Sequence, residues 1–114
     1  MTRYHKGDVI LVPFPFSDQT TTKKRPAVII SSDTYNNISQ DIFIMAITSQ
    51  IRNPIGIGEF LIGDWQSAGL LKSSAVKSAI STIEQRLVMK ILGRFSPKDL
   101  SPLEKALKEL LDLR

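Results

Sequence analysis

The sequence contains no cysteine and a single histidine, His5, among its 114 residues. Without thiols there is no disulfide, no thiolate nucleophile and no zinc site that uses sulfur, and one histidine makes a histidine-based site implausible. The chain also lacks paired carboxylates at catalytic spacing, a P-loop, a metal-ligand cluster, internal repeats and low-complexity tracts. We therefore predict that the protein uses no metal and no cofactor.

Long hydrophobic runs are also missing, and the longest apolar runs have the length of a strand. In Met1–Phe16 basic residues precede the apolar stretch Val9–Val12, as they would in a signal peptide. Asp8, Pro13 and Pro15 interrupt that stretch, however, and no small-residue cleavage site follows. We expect a cytoplasmic protein with no signal peptide and no membrane contact.

Length and charge set broad limits on the class of protein. A chain of 114 residues suits one domain, residues 1–114, because two halves would be too small to bury cores of their own. Apolar residues make up 42% and charged residues 23%, which is typical of a soluble globular domain. The net charge of +4 favours an anionic partner only weakly, since many small domains carry as much.

Short Val- and Ile-rich runs between turn residues predict an all-β region over residues 8–92. The predicted strands are Asp8–Val12, Ala27–Ser31, Ile42–Ile47, Glu59–Ile62, Ala75–Ile83 and Leu87–Leu92. A long loop, Phe14–Lys24, joins the first two strands, and a turn is predicted over Asp33–Asn37. Short strands in series before one helix indicate a strongly curved antiparallel sheet that closes into a small partial barrel.

Helical signals are confined to the end of the sequence. Ser101, Pro102 and Glu104 provide an N-cap hydroxyl, a proline at the first helical position and a capping-box carboxylate. One apolar stripe follows, formed by Leu103, Leu107, Leu110 and Leu111. We therefore predict a mainly β fold with a C-terminal helix that packs on the sheet or on a partner.

Arg25 is the first candidate for a site residue. It follows Lys23 and Lys24 at the junction of the long loop and a buried strand, and Pro26 restricts it to an extended conformation. Its guanidinium presents a rigid fork of donors that matches phosphate oxygens. The alternative is an arginine at a strand edge that makes a surface ion pair.

Thr48 is the second candidate, because it ends an apolar strand and opens a polar loop. Hydroxyls and amides in that loop could hold RNA, and the residues concerned are Ser49, Gln50 and Arg52. The alternative is ordinary turn chemistry, in which Ser and Thr side chains bond to their own backbone.

Trp65 and Lys77 complete the set of candidates. Trp65 lies in a predicted connection, where an aromatic ring stacks an unpaired base or buries against a small barrel. Phe14, Phe16 and Tyr35 share this ambiguity. Lys77 lies on a predicted strand with a small, partly polar face that would allow the close approach of another strand or subunit.

Several segments resemble, in order and over nearly the whole chain, the PemK/MazF toxins of bacterial type II toxin–antitoxin pairs. They are Gly7-Asp8-Val9, Arg25-Pro26-Ala27-Val28-Ile29-Ile30, Ile47-Thr48-Ser49 and Thr82-Ile83-Glu84. Asp64-Trp65 and Ala68-Gly69-Leu70-Leu71 also resemble a PemK-like subgroup. The resemblance implies a compact barrel related to Src-homology-3 domains, a homodimer, and an antitoxin whose disordered tail occupies the RNA groove.

The resemblance also implies an activity. Members of the family cut single-stranded RNA, commonly messenger RNA, at short sequence motifs, and Arg25 and Thr48 match their catalytic arginine and threonine. The implied reaction is attack of the RNA's own 2′-hydroxyl on the adjacent phosphorus, which leaves a 2′,3′-cyclic phosphate and a 5′-hydroxyl and needs no metal. Our own candidates for RNA binding are Lys23, Lys24, Ser49, Gln50, Arg52, Trp65 and Lys77.

The sequence departs from the family at two places. Some members carry an arginine and a carboxylate on the strand before Thr82, where this chain has Val76, Lys77 and Ser78, so Lys77 is our candidate for the cationic role and the general base is not identified. The long loop reads Gln19-Thr20-Thr21-Thr22 in place of the glycines and glutamate of many members, so the cleavage motif is not predicted.

Two other functions fit the same fold. One is a binding protein that poisons a topoisomerase by docking through its C-terminal helix, for which Arg25 and Thr48 would be dispensable. The other is a catalytically inactive RNA-binding relative, which would keep the groove and lack a base.

Overall fold

The computed structural model describes residues 3–14 and 23–114, with no description of the Phe14 side chain. Most of the predicted loop Phe14–Lys24, including Phe16 and Gln19-Thr20-Thr21-Thr22, lies outside the described residues. The elements are β1 (Asp8–Phe14), β2 (Lys23–Ile29), α1 (Asp33–Ile38), β3 (Asp41–Thr48), β4 (Phe60–Leu61), β5 (Ala75–Glu84), a 3₁₀ turn (Gln85–Leu87), β6 (Lys90–Arg94) and α2 (Pro97–Leu111).

The six strands form one antiparallel sheet in the order β4-β5-β3-β2-β1-β6. The sheet is curled into a partial barrel, and α2 covers one of its faces. The predicted fold, mainly β with a C-terminal helix, is therefore confirmed. Several strand boundaries differ by one or two residues, and two strand starts differ by more. β2 begins at Lys23 rather than Ala27, and β6 begins at Lys90 rather than Leu87, because Gln85–Leu87 turns the chain first.

The central strands β1, β2 and β3 bury side chains on both faces of the sheet, to which successive residues of a strand point in turn. The helix-side core contains Val9, Val28, Met45, Ile47, Ile62, Ala68, Val76, Phe95, Leu103 and Leu107. The opposite-face core contains Ile10, Val12, Ala27, Ile29, Ile42 and Ile44. Each fully buried Val or Ile side chain contributes about 1.5–3 kcal/mol to the stability of the fold. Strands that are buried on both faces need apolar residues at successive positions, which explains their nearly continuous apolar sequences.

Helix α2 begins one turn earlier than the sequence signals predicted. Its N-cap is Ser96 and its first residue is Pro97, so Pro102 lies inside the helix. Ser96-Pro97 offers the same hydroxyl and proline start signals as Ser101-Pro102, and the earlier pair begins the helix. Leu103 and Leu107 of the predicted apolar stripe are buried, as expected.

Asp99 in the first turn of α2 explains why the helix begins there. Its buried carboxylate accepts hydrogen bonds from the backbone N–H groups of Gly63 (2.7 Å) and Asp64 (2.9 Å). Hydrogen bonds to a charged acceptor are each worth about 1.5–3 kcal/mol, so they hold the extra turn and the loop that carries Trp65 against each other.

The predicted turn at Asp33–Asn37 is instead the short helix α1, Asp33–Ile38. Ser32 caps it by accepting a hydrogen bond from the Tyr35 N–H at 3.1 Å. Asp33 ties the helix to the N-terminal segment, since it accepts from the His5 ring and from the Lys6 N–H, each at 2.9 Å. These contacts stabilise a helix too short to form alone.

The contact at Asp33 makes stability depend on pH. The hydrogen bond from the His5 ring, together with the Lys6 N–H, holds the pKa of Asp33 below its ordinary value of 3.8. A carboxylate with a lower pKa in the folded state adds stability above 3.8, and this stability is lost as the pH falls through the folded value. Asp33→Asn should therefore lose less stability than the native protein on acidification, as measured by urea unfolding from neutral pH downward. Equal losses would contradict this.

Candidate active-site cleft

Strands β2 and β3 separate at a defined point. The last residue pair between them is Ala27 with Ala46, and continuing that register by two residues would set Arg25 directly opposite Thr48. Beyond Ala27, however, β2 pairs only with β1, while β3 pairs only with β5. The sheet therefore opens a cleft between two paired halves, with Arg25 on one wall and Thr48 on the other.

Pro26 lies immediately beyond the last pair of β2 with β3. Proline has no N–H for a strand ladder, so its presence favours an end to pairing at this position. Arg25 precedes it inside β2 and pairs with Val12 of β1, so it is held in an extended strand. Our prediction that Arg25 lies at the junction of loop and strand was wrong, because the β1–β2 ladder continues to Phe14 and Lys23.

The Arg25 groove is the concave surface where the two strands separate, and its volume is about 460 Å³. Its polar lining includes Lys24, Arg25, Thr48, Ser49, Lys72 and Lys90. Leu11, Leu70 and Leu92 add an apolar wall. Four of the described lining residues are cations and none is an acid, so the groove is suited to an anion.

The Lys77 groove adjoins the first and has a volume of about 200 Å³. Its polar lining includes Thr48, Gln50, Arg52, Glu59 and Lys77. Thr48 lines both grooves and so lies where they meet. An extended chain with several phosphates could follow both grooves past this residue.

The Thr48 hydroxyl makes the local contact that the alternative interpretation anticipated. Its Oγ1 accepts a hydrogen bond from the backbone N–H of Gln50 at 3.0 Å. This contact fixes the turn after β3 and uses only an acceptor site of the hydroxyl, so the O–H can still donate to an anion. Turn chemistry and ligand binding are therefore compatible at Thr48.

A bulge in β5 places Lys77. Met45 pairs with Ile80 and Ile47 with Val76, so the three residues Lys77 to Ala79 face the single residue Ala46. Bulges bend a strand and turn side chains away from their regular direction, and they are frequent beside active sites. The exposed Lys77 side chain lines the groove from this bulge.

The structure brings together most of the predicted site residues. Those that line one or both grooves are Lys24, Arg25, Thr48, Ser49, Gln50, Arg52 and Lys77. Lys23 is exposed on β2 and lines neither groove. Trp65 is half-buried and packs against the helix-side core, so it also lies outside both grooves.

Three charged groove residues were not predicted from the sequence. Lys90 approaches Arg25 because β6 pairs with β1, an association of strands far apart along the chain. Lys72 directly follows the Ala68-Gly69-Leu70-Leu71 motif, and this position beside a family motif could have identified it as a site residue. Glu59 is an isolated acid at the start of the predicted strand Glu59–Ile62, and nothing in the sequence marked it as a site residue.

Two features are absent from residues 3–14 and 23–114. None of the helices there has both the length and the apolar character needed to cross a membrane. In the same residues, no three His, Cys, Asp or Glu side chains form a group that could hold a metal ion.

Solved structures show that the chain has the fold of bacterial toxins with antitoxin partners. It is similar to a MazE-MazF structure from Deinococcus radiodurans, with 16% identity, a TM-score of 0.79 and 100% of both chains covered. It is also similar to an endoribonuclease in complex with its cognate antitoxin from Mycobacterial species, with 19% identity, a TM-score of 0.78, and 100% of this chain and 98% of that chain covered. The toxin MazF-mt6 of Mycobacterium tuberculosis gives 18% identity and a TM-score of 0.76 over 94% of this chain and 98% of that chain.

At these identities the similarity shows the fold alone, and a comparison with curated protein sequences gave no match. The family is shown by the sequence itself. Residues 5–111 match the family of PemK-like, MazF-like toxins of type II toxin–antitoxin systems, and the chain belongs to this family. The resemblance noted from short segments is thereby confirmed.

Proposed function

We propose that the protein is the toxin of a type II pair and an endoribonuclease that cuts single-stranded RNA, commonly messenger RNA, without a metal ion. The observation that carries this proposal is the opposition of Arg25 and Thr48 across the cleft where β2 and β3 separate. An arginine and a hydroxyl facing each other in a basic cleft can hold one phosphate from two sides.

The reaction is attack of the RNA's own 2′-hydroxyl on the adjacent phosphorus. The protein must hold the attacking oxygen in line and stabilise the charge that grows on the phosphate oxygens. Arg25 stabilises that charge, since arginine stays protonated and cannot act as a base. Thr48 donates its O–H to the same phosphate.

RNA on both sides of the cut would follow the two grooves. Lys24 and Ser49 bind it in the Arg25 groove, and Gln50, Arg52 and Lys77 bind it in the Lys77 groove. Lys23 and Trp65 lie outside both grooves, so their contribution to RNA binding stays a prediction from the sequence.

The protein partners follow from the same family. The Mycobacterial relative was solved with its cognate antitoxin, and we propose a cognate antitoxin for this chain. The cations of the Arg25 groove would attract an acidic antitoxin tail as well as RNA, so toxin and antitoxin would compete with the substrate for one surface. We also propose that the toxin is a homodimer.

Mapping the ends of cut RNA tests the function directly. Purified protein incubated with a long RNA in EDTA should cut at few sites and leave 2′,3′-cyclic phosphate and 5′-hydroxyl ends. Binding without cutting would favour the inactive relative, and cutting abolished by EDTA would contradict the metal-free mechanism. A protein that neither binds nor cuts RNA and inhibits a topoisomerase would favour the poison.

A further inference from the structure

The proposed reaction requires a group that takes the proton of the 2′-hydroxyl, and Arg25 cannot do this. Among the described residues that line the two grooves, Glu59 is the one carboxylate. Two other candidates are engaged elsewhere. The His5 ring is bound to Asp33, and the Asp99 carboxylate is buried against the loop at Gly63.

Glu59 and Thr48 lie on the same side of the sheet. Phe60 and Ile47 both pair with Val76, and all three belong to or pack against the helix-side core. Because neighbouring side chains along a strand point to opposite faces, Thr48, next to Ile47 in β3, is turned away from that core. Glu59 directly precedes β4 and lines the Lys77 groove together with Thr48.

The Glu59 carboxylate is held by backbone N–H groups. Its Oε1 accepts a hydrogen bond from the backbone N–H of Gly56 at 3.0 Å. Its Oε2 accepts a longer hydrogen bond, at 3.5 Å, from the backbone N–H of Ser78 in the β5 bulge. Each carboxylate oxygen has two acceptor sites, so both oxygens keep one for a substrate. A carboxylate that is half-buried and fixed in this way is well suited to accept a proton at a defined position.

We propose that Glu59 is the general base of the RNA cleavage, an inference that rests on the proposed function. The 2′-O–H proton passes to a Glu59 carboxylate oxygen while the 2′-oxygen forms its bond to phosphorus. The bond from phosphorus to the 5′-oxygen breaks, and the 5′-oxygen keeps the electron pair and takes a proton from water. Protonated Glu59 then returns its proton to solvent.

Charged groups surround Glu59 on several elements. Lys77 faces it from β5 and Arg52 from the segment between β3 and β4, both in the Lys77 groove. Lys105 and Glu109 of α2 line the surface on its other side. Glu109 is therefore a matched control, because it is an acid of the same type that lines neither the Arg25 groove nor the Lys77 groove.

The test is Glu59→Gln, assayed for kcat/KM on the mapped RNA as a function of pH. The amide keeps an oxygen for the Gly56 N–H and cannot accept a proton, so the rate should fall by roughly 10²–10⁴-fold on the plateau. The native protein should show a rise with pH followed by a plateau, whereas Glu59→Gln should rise with pH throughout because only hydroxide remains as base. Glu109→Gln should keep the native profile.

The outcomes separate this inference from the function on which it rests. If the native protein does not cut RNA, the proposed function fails. If it cuts and Glu59→Gln keeps the plateau at any height, Glu59 is not the base, since a purely structural loss lowers the rate without changing the profile. Should Glu59→Gln fail to fold, a native rate that rises with pH without any plateau would overturn the proposal by itself.

Discussion

Replacing Arg25 with alanine should lower kcat/KM for RNA cleavage by roughly 10³-fold or more, by analogy with other arginines that serve phosphoryl transfer. The guanidinium opposes Thr48 across the cleft, and in its absence the charge on the phosphate oxygens would lack the cation on that wall of the cleft. The side chain is exposed, so the free energy of unfolding should change by no more than about 0.5 kcal/mol. Arg25→Lys should recover part of the rate, since lysine restores the charge without the fork of donors.

The measurement is cleavage of a defined RNA by native protein and variants of equal stability. Arg86→Ala is the matched control, because this exposed arginine pairs with Glu84 in the turn before β6 and lines neither groove. It should cut at the native rate. An Arg25→Ala protein that is folded and cuts as fast as the control would exclude Arg25 from the mechanism.

The sequence predicted this site in part, and strand pairing explains the remainder. Arg25 could be identified alone from the proline that follows it, and Thr48 from its position at the end of a strand. Their opposition depends on the register of β2 with β3 and on the residue where that pairing ends, and neither property can be read along one chain. The approach of Lys90 depends in addition on β6 lying next to β1.

Competition between equivalent local signals explains the error at the start of α2. Ser96-Pro97 and Ser101-Pro102 are both acceptable starts, and local preferences alone do not choose between them. The choice is made by Asp99, whose buried carboxylate binds the N–H groups at Gly63 and Asp64, remote in sequence. The apolar stripe at Leu103 and Leu107 was predictable because it repeats with the helical period.

The wall of the Arg25 groove depends on Gly69. Its φ of +77° lies in the left-handed region that side chains with a Cβ rarely adopt. A Cβ at this position would also overlap the backbone carbonyl of Leu92 in β6. A Cβ at Gly93 would likewise come within 2.6 Å of the Ser67 and Ala68 backbone, so the chain at Gly69 and strand β6 approach with no room for a side chain.

Gly69→Ala should therefore reduce the free energy of unfolding by about 3 kcal/mol or more, because strain and overlap act at one residue. Gly63→Ala is the matched control, since its added Cβ would lie 3.5 Å from Asp99 Oδ1, an ordinary contact, and it should change stability by less than about 1 kcal/mol. Urea unfolding of both variants beside the native protein measures the difference. Because Leu70 and Lys72 follow Gly69 in the groove wall, any folded Gly69→Ala protein should also cut RNA more slowly. Equal stability of the two variants would show that the close approach to β6 is not a constraint on the fold.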